Sequence, residues 1–331
     1  MDKLKFLIIK STDTEFHDGL LETAAEIHQR KKDSLEWLKW KYFSSPFGNC
    51  IVACAINEQH KVIGEISFGR YEFVLDNKIV KAAYSYQTMV HPNYQGKGVF
   101  KKLTNLAIDE CKKQGVEVLF NFPNANSYMP FVKNKWKPIN SIKYWMKPMR
   151  FLKVSANITS IRKSFQADNT KSLDEINVSK MKELFSNVNP LNIPNTLCPN
   201  RTKEFLEWRY TSYPIAKYKS VINDRIAVIV RTGTRGKLKE VQIMEAFEII
   251  ANSFNKDEIK RIAEQIKNEL NADLITFNIT EAHPLNNILK SARFISMPHS
   301  IKFCIYPLVE KFNSYTNEDN WIITATEFHR Y

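Results

Sequence analysis

The stretch that decides the fold runs Tyr84-Ser85-Tyr86-Gln87-Thr88-Met89-Val90-His91-Pro92-Asn93-Tyr94-Gln95-Gly96-Lys97-Gly98-Val99-Phe100-Lys101-Lys102-Leu103. A strand-like run meets a proline turn, passes a Gln-Gly-Lys-Gly loop and enters an amphipathic helix at once. Gly96 and Gly98 lack side chains, so backbone N–H groups there can approach a ligand closely. The start of the helix adds unpaired donors and a partial positive charge. Together these form a cradle suited to a diphosphate. The pattern is no Walker loop, because Gly-x-x-x-x-Gly-Lys-Ser/Thr is absent. It is no dinucleotide fingerprint either, because a third glycine does not follow.

Working outward, the spacing predicts a helix over 98–114, with Val99, Leu103, Leu106, Ala107 and Cys111 on one face and Gly115 at its end. Before the loop it predicts a strand at 4–10, helices at 17–31 and 34–43, and strands at 50–56, 61–74 and 78–90. After it come a buried-type strand 116–122, a short helix 127–134 and a strand 141–149. Residues 151–172 read as a polar linker between a domain over 1–150 and another over 173–331. The second half repeats the plan: strand 173–178, helices 179–188 and 201–210, and strands 218–223, 226–234 and 238–249. Helix 257–270, strand 272–279, helix 285–291 and strand 300–306 complete it, and the tail 321–326 is strand-like.

An internal repeat supports two related halves. Glu36-Trp37-Leu38-Lys39-Trp40-Lys41-Tyr42-Phe43-Ser44-Ser45-Pro46 returns as Glu204-Phe205-Leu206-Glu207-Trp208-Arg209-Tyr210-Thr211-Ser212-Tyr213-Pro214, with six of eleven positions identical. Strands and helices interleave in both halves. The expected fold class is therefore α/β (α+β), two tandem domains, each a mixed and mostly antiparallel sheet flanked by helices.

With 331 residues, 44% apolar and 25% charged, the chain has the composition of a globular protein and can fill two cores. Disordered, collagen-like and disulfide-stapled classes are excluded. No apolar run suits a membrane span. The five cysteines are scattered without a Cys-x-x-Cys pair, which points to reduced, buried thiols and a cytoplasmic protein. His and Cys never cluster at ligand spacing, so no metal is expected. The net charge is +13, and between Lys97 and Lys153 twelve Lys/Arg face only three acids. Lysine-rich codon usage is one reading of this excess, and attraction of an anionic ligand is the other. Its coincidence with the glycine turn favours the second.

The context of that turn, strand-Val-x-Pro-x-x-Gln-Gly-x-Gly-helix followed by a strand ending Phe122-Pro123-Asn124, resembles the acyl-CoA site of the GNAT superfamily of N-acyltransferases. Gln95 to Phe100 match the family's Gln/Arg-x-x-Gly-x-Gly/Ala loop, with Phe100 in place of the last small residue. The resemblance implies that acyl-CoA lies between strands 78–90 and 116–122, its pantetheine pairing with backbone at Met89 and Val90. It implies phosphate contacts from Gln95, Gly96, Lys97, Gly98, Val99, Phe100 and Lys101, and a contact from Asn124 to the pantetheine arm. The family's proton donor to the departing thiolate is a tyrosine on the next helix. Val132 holds its place, and Tyr128 is the nearest substitute. No glutamate lies on strand 84–90, so a water relayed by Tyr86 or Gln87 is the expected base. Tyr84, Trp40, Tyr42 and His283 are candidate acceptor contacts, His283 by reaching toward an interdomain cleft. The second half lacks a Gly-x-Gly, so one CoA site per chain is expected.

Tandem chains of this kind are similar to enzymes that acylate amino sugars for bacterial surface polysaccharides. That resemblance implies acetyl-CoA or 3-hydroxybutyryl-CoA as donor and a nucleotide-linked amino sugar, such as a dTDP-3-amino-3,6-dideoxyhexose, as acceptor. Another small amine or a peptide is the alternative acceptor. A non-catalytic nucleic-acid-binding or regulatory module is the alternative class, although aromatic-basic interleaving of the RNA-binding kind is absent. The expected partners are thus CoA and the amino sugar, without nucleic acid or membrane insertion, and the oligomeric state stays open.

Overall fold

A computed structural model describes residues 3–168, 175–214 and 217–328. In chain order the elements begin β1 (Lys5–Ile9), α1 (His17–His28), α2 (Leu35–Phe43), β2 (Ile51–Ile56), β3 (Val62–Leu75), β4 (Lys78–Val90) and α3 (Val99–Lys113). They continue β5 (Val118–Asn121), α4 (Ala125–Lys133), β6 (Lys137–Pro148), α5 (Phe151–Ala156), β7 (Phe165–Ala167) and α6 (Glu175–Phe185). Next are β8 (Cys198–Pro199), α7 (Lys203–Leu206), β9 (Lys219–Ile222), β10 (Ile226–Arg235) and β11 (Leu238–Glu248). The chain closes with α8 (Lys256–Leu270), β12 (Leu274–Thr280), α9 (Leu285–Ser291), β13 (Ile295–Pro307) and α10 (Ala325–Phe328). The class is the expected one, a mixed sheet flanked by helices. Among the described residues no helix is long and apolar enough to cross a membrane.

The chain divides into two units. The first holds Met1–Phe73, Ile79–Lys137 and Cys304–Thr316, and the second holds Val74–Lys78, Pro138–Phe303 and Asn317–Tyr331. These do not follow a cut near residue 150: β6 counts with the second unit, while the end of β13 counts with the first.

In the first unit the strands run β1-β2-β3-β4-β5. β1 and β3 flank β2 antiparallel, whereas β4 and β5 are parallel. Cys304 to Pro307 of β13 complete β5 on its other side, Cys304 opposite Asn121. One face of the sheet is covered by α3, because its apolar residues recur every three or four positions. Val99, Leu103, Ala107 and Cys111 are buried there against Ala53, Ile66 and Ala83. Gly64 on β3 permits this approach, since a Cβ there would stand 3.1 Å from Leu103 Cδ1. Emptying such a site by Leu103→Ala costs about 2–5 kcal/mol.

In the second unit β6 pairs antiparallel with β12, β12 parallel with β11, and β11 antiparallel with β10. Both β9 and β7 pair with β10. Two readings of the sequence change here. Part of the expected linker is structure: α5 lies in it, and β7 pairs Ala167 with Gly233. Gly233 has to be glycine, because a Cβ would fall 2.2 Å from Gln166 O. The strand expected over 173–178 is instead helical from Glu175, while residues 173 and 174 lie outside the described residues. Val178, Met181, Leu184 and Phe185 recur at helical spacing, and that period outweighs the short Ile176/Val178 alternation. All five cysteines are buried and stand outside any disulfide.

Candidate active site

β4 and β5 pair only over Ala82–Tyr84 and Val118–Phe120. β5 ends at Asn121, but β4 continues to Val90. Past Tyr84, therefore, β4 runs on without β5 beside it, and its backbone groups there have no partner on β5. The strand then turns through Pro92–Tyr94 into the glycine loop.

Gly96 and Gly98 both adopt left-handed backbone, φ 73° and 76°, and a Cβ at either would meet nothing within 4 Å. The space in front of the turn is open, and the conformation demands glycine. Gly98 precedes α3 with no side-chain cap and no acidic residue in the first turn. The first backbone bond of the helix runs from Lys102 N–H to Gly98 O at 3.1 Å, so the amides before it have no acceptor within the helix. Exposed Lys101 and Lys102 lie on that first turn. Helix-start amides and two exposed lysines give this turn donors and positive charge.

The flanking residues brace the loop. Gln95 Nε2 donates to Val90 O at 3.0 Å and ties the loop to the strand end. Lys97 Nζ donates to Asn93 O at 2.8 Å and lies over the Tyr94 ring. Val99 is buried and Phe100 packs edge-on to Phe131, so these side chains anchor the helix while their amides face the turn. His91 Nε2 meets Glu26 Oε1 at 3.0 Å, and Glu26 also holds Lys61. Asn124 Oδ1 accepts from Ser127 N–H at 3.0 Å and caps α4. Half-buried Tyr128 packs against the core beneath α3. Tyr84 is buried, its ring stacked on Phe120 at 5.2 Å, so it belongs to an aromatic core. Tyr86 lies across Gly69, where a Cβ would come 2.1 Å from its ring.

His283 does not face a cleft. It is buried in the second unit beside Phe277, and its Nδ1 accepts Leu285 N–H at 3.2 Å at the start of α9. Burial pushes its pKa down to about 3, so it is neutral. The apolar environment of that helix start makes it a structural residue.

Opposite the α3 face, four elements bring together a polar group that the sequence reading missed. Gly64 faces α3, so Glu65, next along the strand, points the other way. It is 1% exposed and accepts from Tyr42 OH at 2.5 Å. Lys41 of α2 is 5% exposed, 4.5 Å over the Trp37 ring, and donates to Gln87 Oε1 at 3.4 Å. Gln87 Nε2 reaches His28 Nε2 at 3.1 Å. Burial raises the Glu65 pKa, partly offset by Lys41 and the Tyr42 hydroxyl. Burial also lowers Lys41 to about 8 and holds His28 below its usual range, with Arg30 and Lys41 adding to the second effect. The available signals were a lysine inside the aromatic repeat and a glutamate inside the apolar run Val62-Ile63-Gly64-Glu65-Ile66. Trp40 is buried in the same helix.

Residues 8–135 match the acetyltransferase (GNAT) domain family. Over those residues the chain is similar to GNAT domains. No curated protein matches the chain. Among solved structures, a conserved protein of unknown function from Enterococcus faecalis is similar at TM-score 0.63 and 9% identity, covering 93% of this chain and 73% of that one. A GCN5-related N-acetyltransferase from Anabaena variabilis gives TM-score 0.58 at 12% identity, with 93% and 73% covered. Saccharomyces cerevisiae N-myristoyltransferase with bound myristoyl-CoA gives 0.55 at 12% identity, with 93% and 79% covered. At these identities the likeness is one of fold, and it runs through both halves of the chain.

Proposed function

We propose that the protein is an acyl-CoA-dependent N-acyltransferase working by direct attack in a ternary complex. The observation that carries this reading is the conjunction of an uncapped glycine turn at the start of α3 with a parallel strand pair that parts beyond Tyr84. Amides around Gly96 to Phe100 would hold the diphosphate. The backbone of β4 beyond Tyr84 would hold the pantetheine and polarise the thioester carbonyl. A neutral amine then attacks the carbonyl carbon. The C–N bond forms, the C–S bond breaks, the amine proton passes to a base and the thiolate takes a proton from Tyr128 or water.

The acceptor in this proposal is a nucleotide-linked amino sugar, such as a dTDP-3-amino-3,6-dideoxyhexose, and the acyl group is acetyl or 3-hydroxybutyryl. The net charge of +13 suits two anionic substrates, and the tandem organisation supports the same class. Buried cysteines without disulfides suit work in the cytoplasm. Calorimetric titration with acetyl-CoA, followed by thiol release against a panel of nucleotide-linked amino sugars, polyamines and peptides, tests the reading. Absence of CoA binding at millimolar ligand removes it. Turnover of a polyamine or peptide alone removes the sugar acceptor.

A further inference from the structure

Lys41 is costly as placed. A buried ammonium has three donors and loses several kcal/mol of hydration unless they are matched. Among the described residues Lys41 forms no ion pair, and its hydrogen bond is the long one to Gln87. The corresponding Arg209 of the second repeat donates to Tyr218 OH at 2.7 Å and to Thr326 O at 3.5 Å. A structural role alone would be met by such matching, or by an apolar residue.

The donor chemistry around Lys41 has one consistent solution. An ammonium can only donate, so the oxygen of Gln87 must face Lys41. The amide nitrogen of Gln87 then faces His28 Nε2, and an amide nitrogen can only donate. The Nε2 atom must therefore carry the lone pair, and the imidazole proton sits on Nδ1. Gln87 lies on the part of β4 that has left β5 behind, the same stretch of strand that carries the proposed thioester site.

We propose that Lys41 is a positioning residue that, through Gln87, holds His28 in its Nδ1–H form so that Nε2 receives the proton of the attacking amine. The proposal rests on the acyl-transfer reading. An amine N–H takes the place of the Gln87 N–H at Nε2. As the C–N bond forms on the thioester carbon, the proton moves to Nε2 and the C–S electron pair leaves with sulfur. The exposed imidazolium then returns its proton to water. The charged groups around His28 are Arg30 and Asp33 from the α1–α2 connection and Lys41 from α2. Those around Lys41 are Glu65 on β3, Cys50, Asp33 and Arg30. The lowered His28 pKa keeps the base neutral somewhat below the ordinary imidazole range.

Side-chain 15N NMR of the full chain without CoA tests the relay, with His28→Gln assigning the signals. The expected wild-type His28 is the Nδ1–H tautomer. Lys41→Met and Gln87→Leu each shift it toward Nε2–H and raise its titration midpoint, while Lys41→Arg keeps the wild-type form. A wild-type Nε2–H tautomer overturns the proposal, and so does an unchanged tautomer in Gln87→Leu, which leaves the buried charge in place. In thiol release with the best amine of the panel, His28→Gln lowers kcat by about a hundredfold or more, erases the acid limb and leaves the KM for acetyl-CoA unchanged. A His28→Gln enzyme with wild-type kcat and acid limb overturns the catalytic half. Failure of wild type to bind CoA removes the acyl-transfer reading instead, and the tautomer is read without any ligand.

Discussion

The two units each lead from a strand with a parallel neighbour into a fifteen-residue helix, and the two helices begin in opposite ways. α3 starts behind Gly98, without a cap and without acids. α8 starts behind Asn255, whose Oδ1 accepts from Asp257 and Glu258 N–H at 3.0 Å each, and those two acids fill the first turn. Glu248 accepts from Phe254 N–H at 2.7 Å, closing the preceding loop. An anion is welcomed at α3 and repelled at α8. The strand pairs differ likewise. Beyond the last β11–β12 pair, Ile243–Phe277, the tail of the chain bonds to both strands. Ile323 O accepts from Thr280 N–H at 3.1 Å, and Thr326 Oγ1 donates to Met244 O at 3.1 Å. The repeated helix follows the same division. Lys41 has one long bond, whereas Arg209 in the same place donates to Tyr218 OH at 2.7 Å and to Thr326 O at 3.5 Å. Two similar strand-to-helix frames thus differ in how far their donors are satisfied.

Breaking the sealed copy should have the largest effect. Arg201 bridges Glu245 and Glu327, all buried, so Arg201→Met leaves two carboxylates without their cation and should cost about 3–5 kcal/mol in denaturant melts. His283 sharpens the same point through pH. Its folded pKa is about 3, far below the unfolded value, so the unfolded chain binds the extra proton. Stability should fall as pH drops from the ordinary histidine range toward 3, by at most about 1.4 kcal/mol per pH unit, and His283→Gln should flatten that slope. In the open copy, Gly98→Asp adds a negative charge and a Cβ where φ is 76°. The calorimetric Kd for CoA should rise about thirtyfold, equivalent to about 2 kcal/mol. Asn255→Ala should cost about 1 kcal/mol of stability and leave CoA affinity unchanged. A change in CoA affinity there would contradict the assignment of binding to α3 alone.

Much of this contrast is legible in the chain itself. Gln95-Gly96-Lys97-Gly98 announces an open turn because only glycine suits its backbone, and Asn255-Lys256-Asp257-Glu258 carries the marks of a capped one. The repeat at Trp40 and Trp208 makes the likeness of the two halves visible. What is not legible joins distant positions. His28, Lys41, Glu65 and Gln87 meet because α1, α2, β3 and β4 converge, and no local period records that. His283 was misplaced because a histidine before a proline looks like an exposed turn, while its imidazole is an internal acceptor for Leu285. The strand expected near 173 failed for the opposite reason, a two-residue alternation inside a longer helical period.

The division of β13 bears on how the protein is made. β5 finds its last partner only at Cys304–Pro307, so a ribosome that has finished β5 has not yet supplied the strand that covers its edge. Until then an apolar row, Val118-Leu119-Phe120, has one unpaired side and invites association with other chains. Fragments ended near residue 150 should accumulate as aggregates, and the two halves should become soluble only when synthesised together.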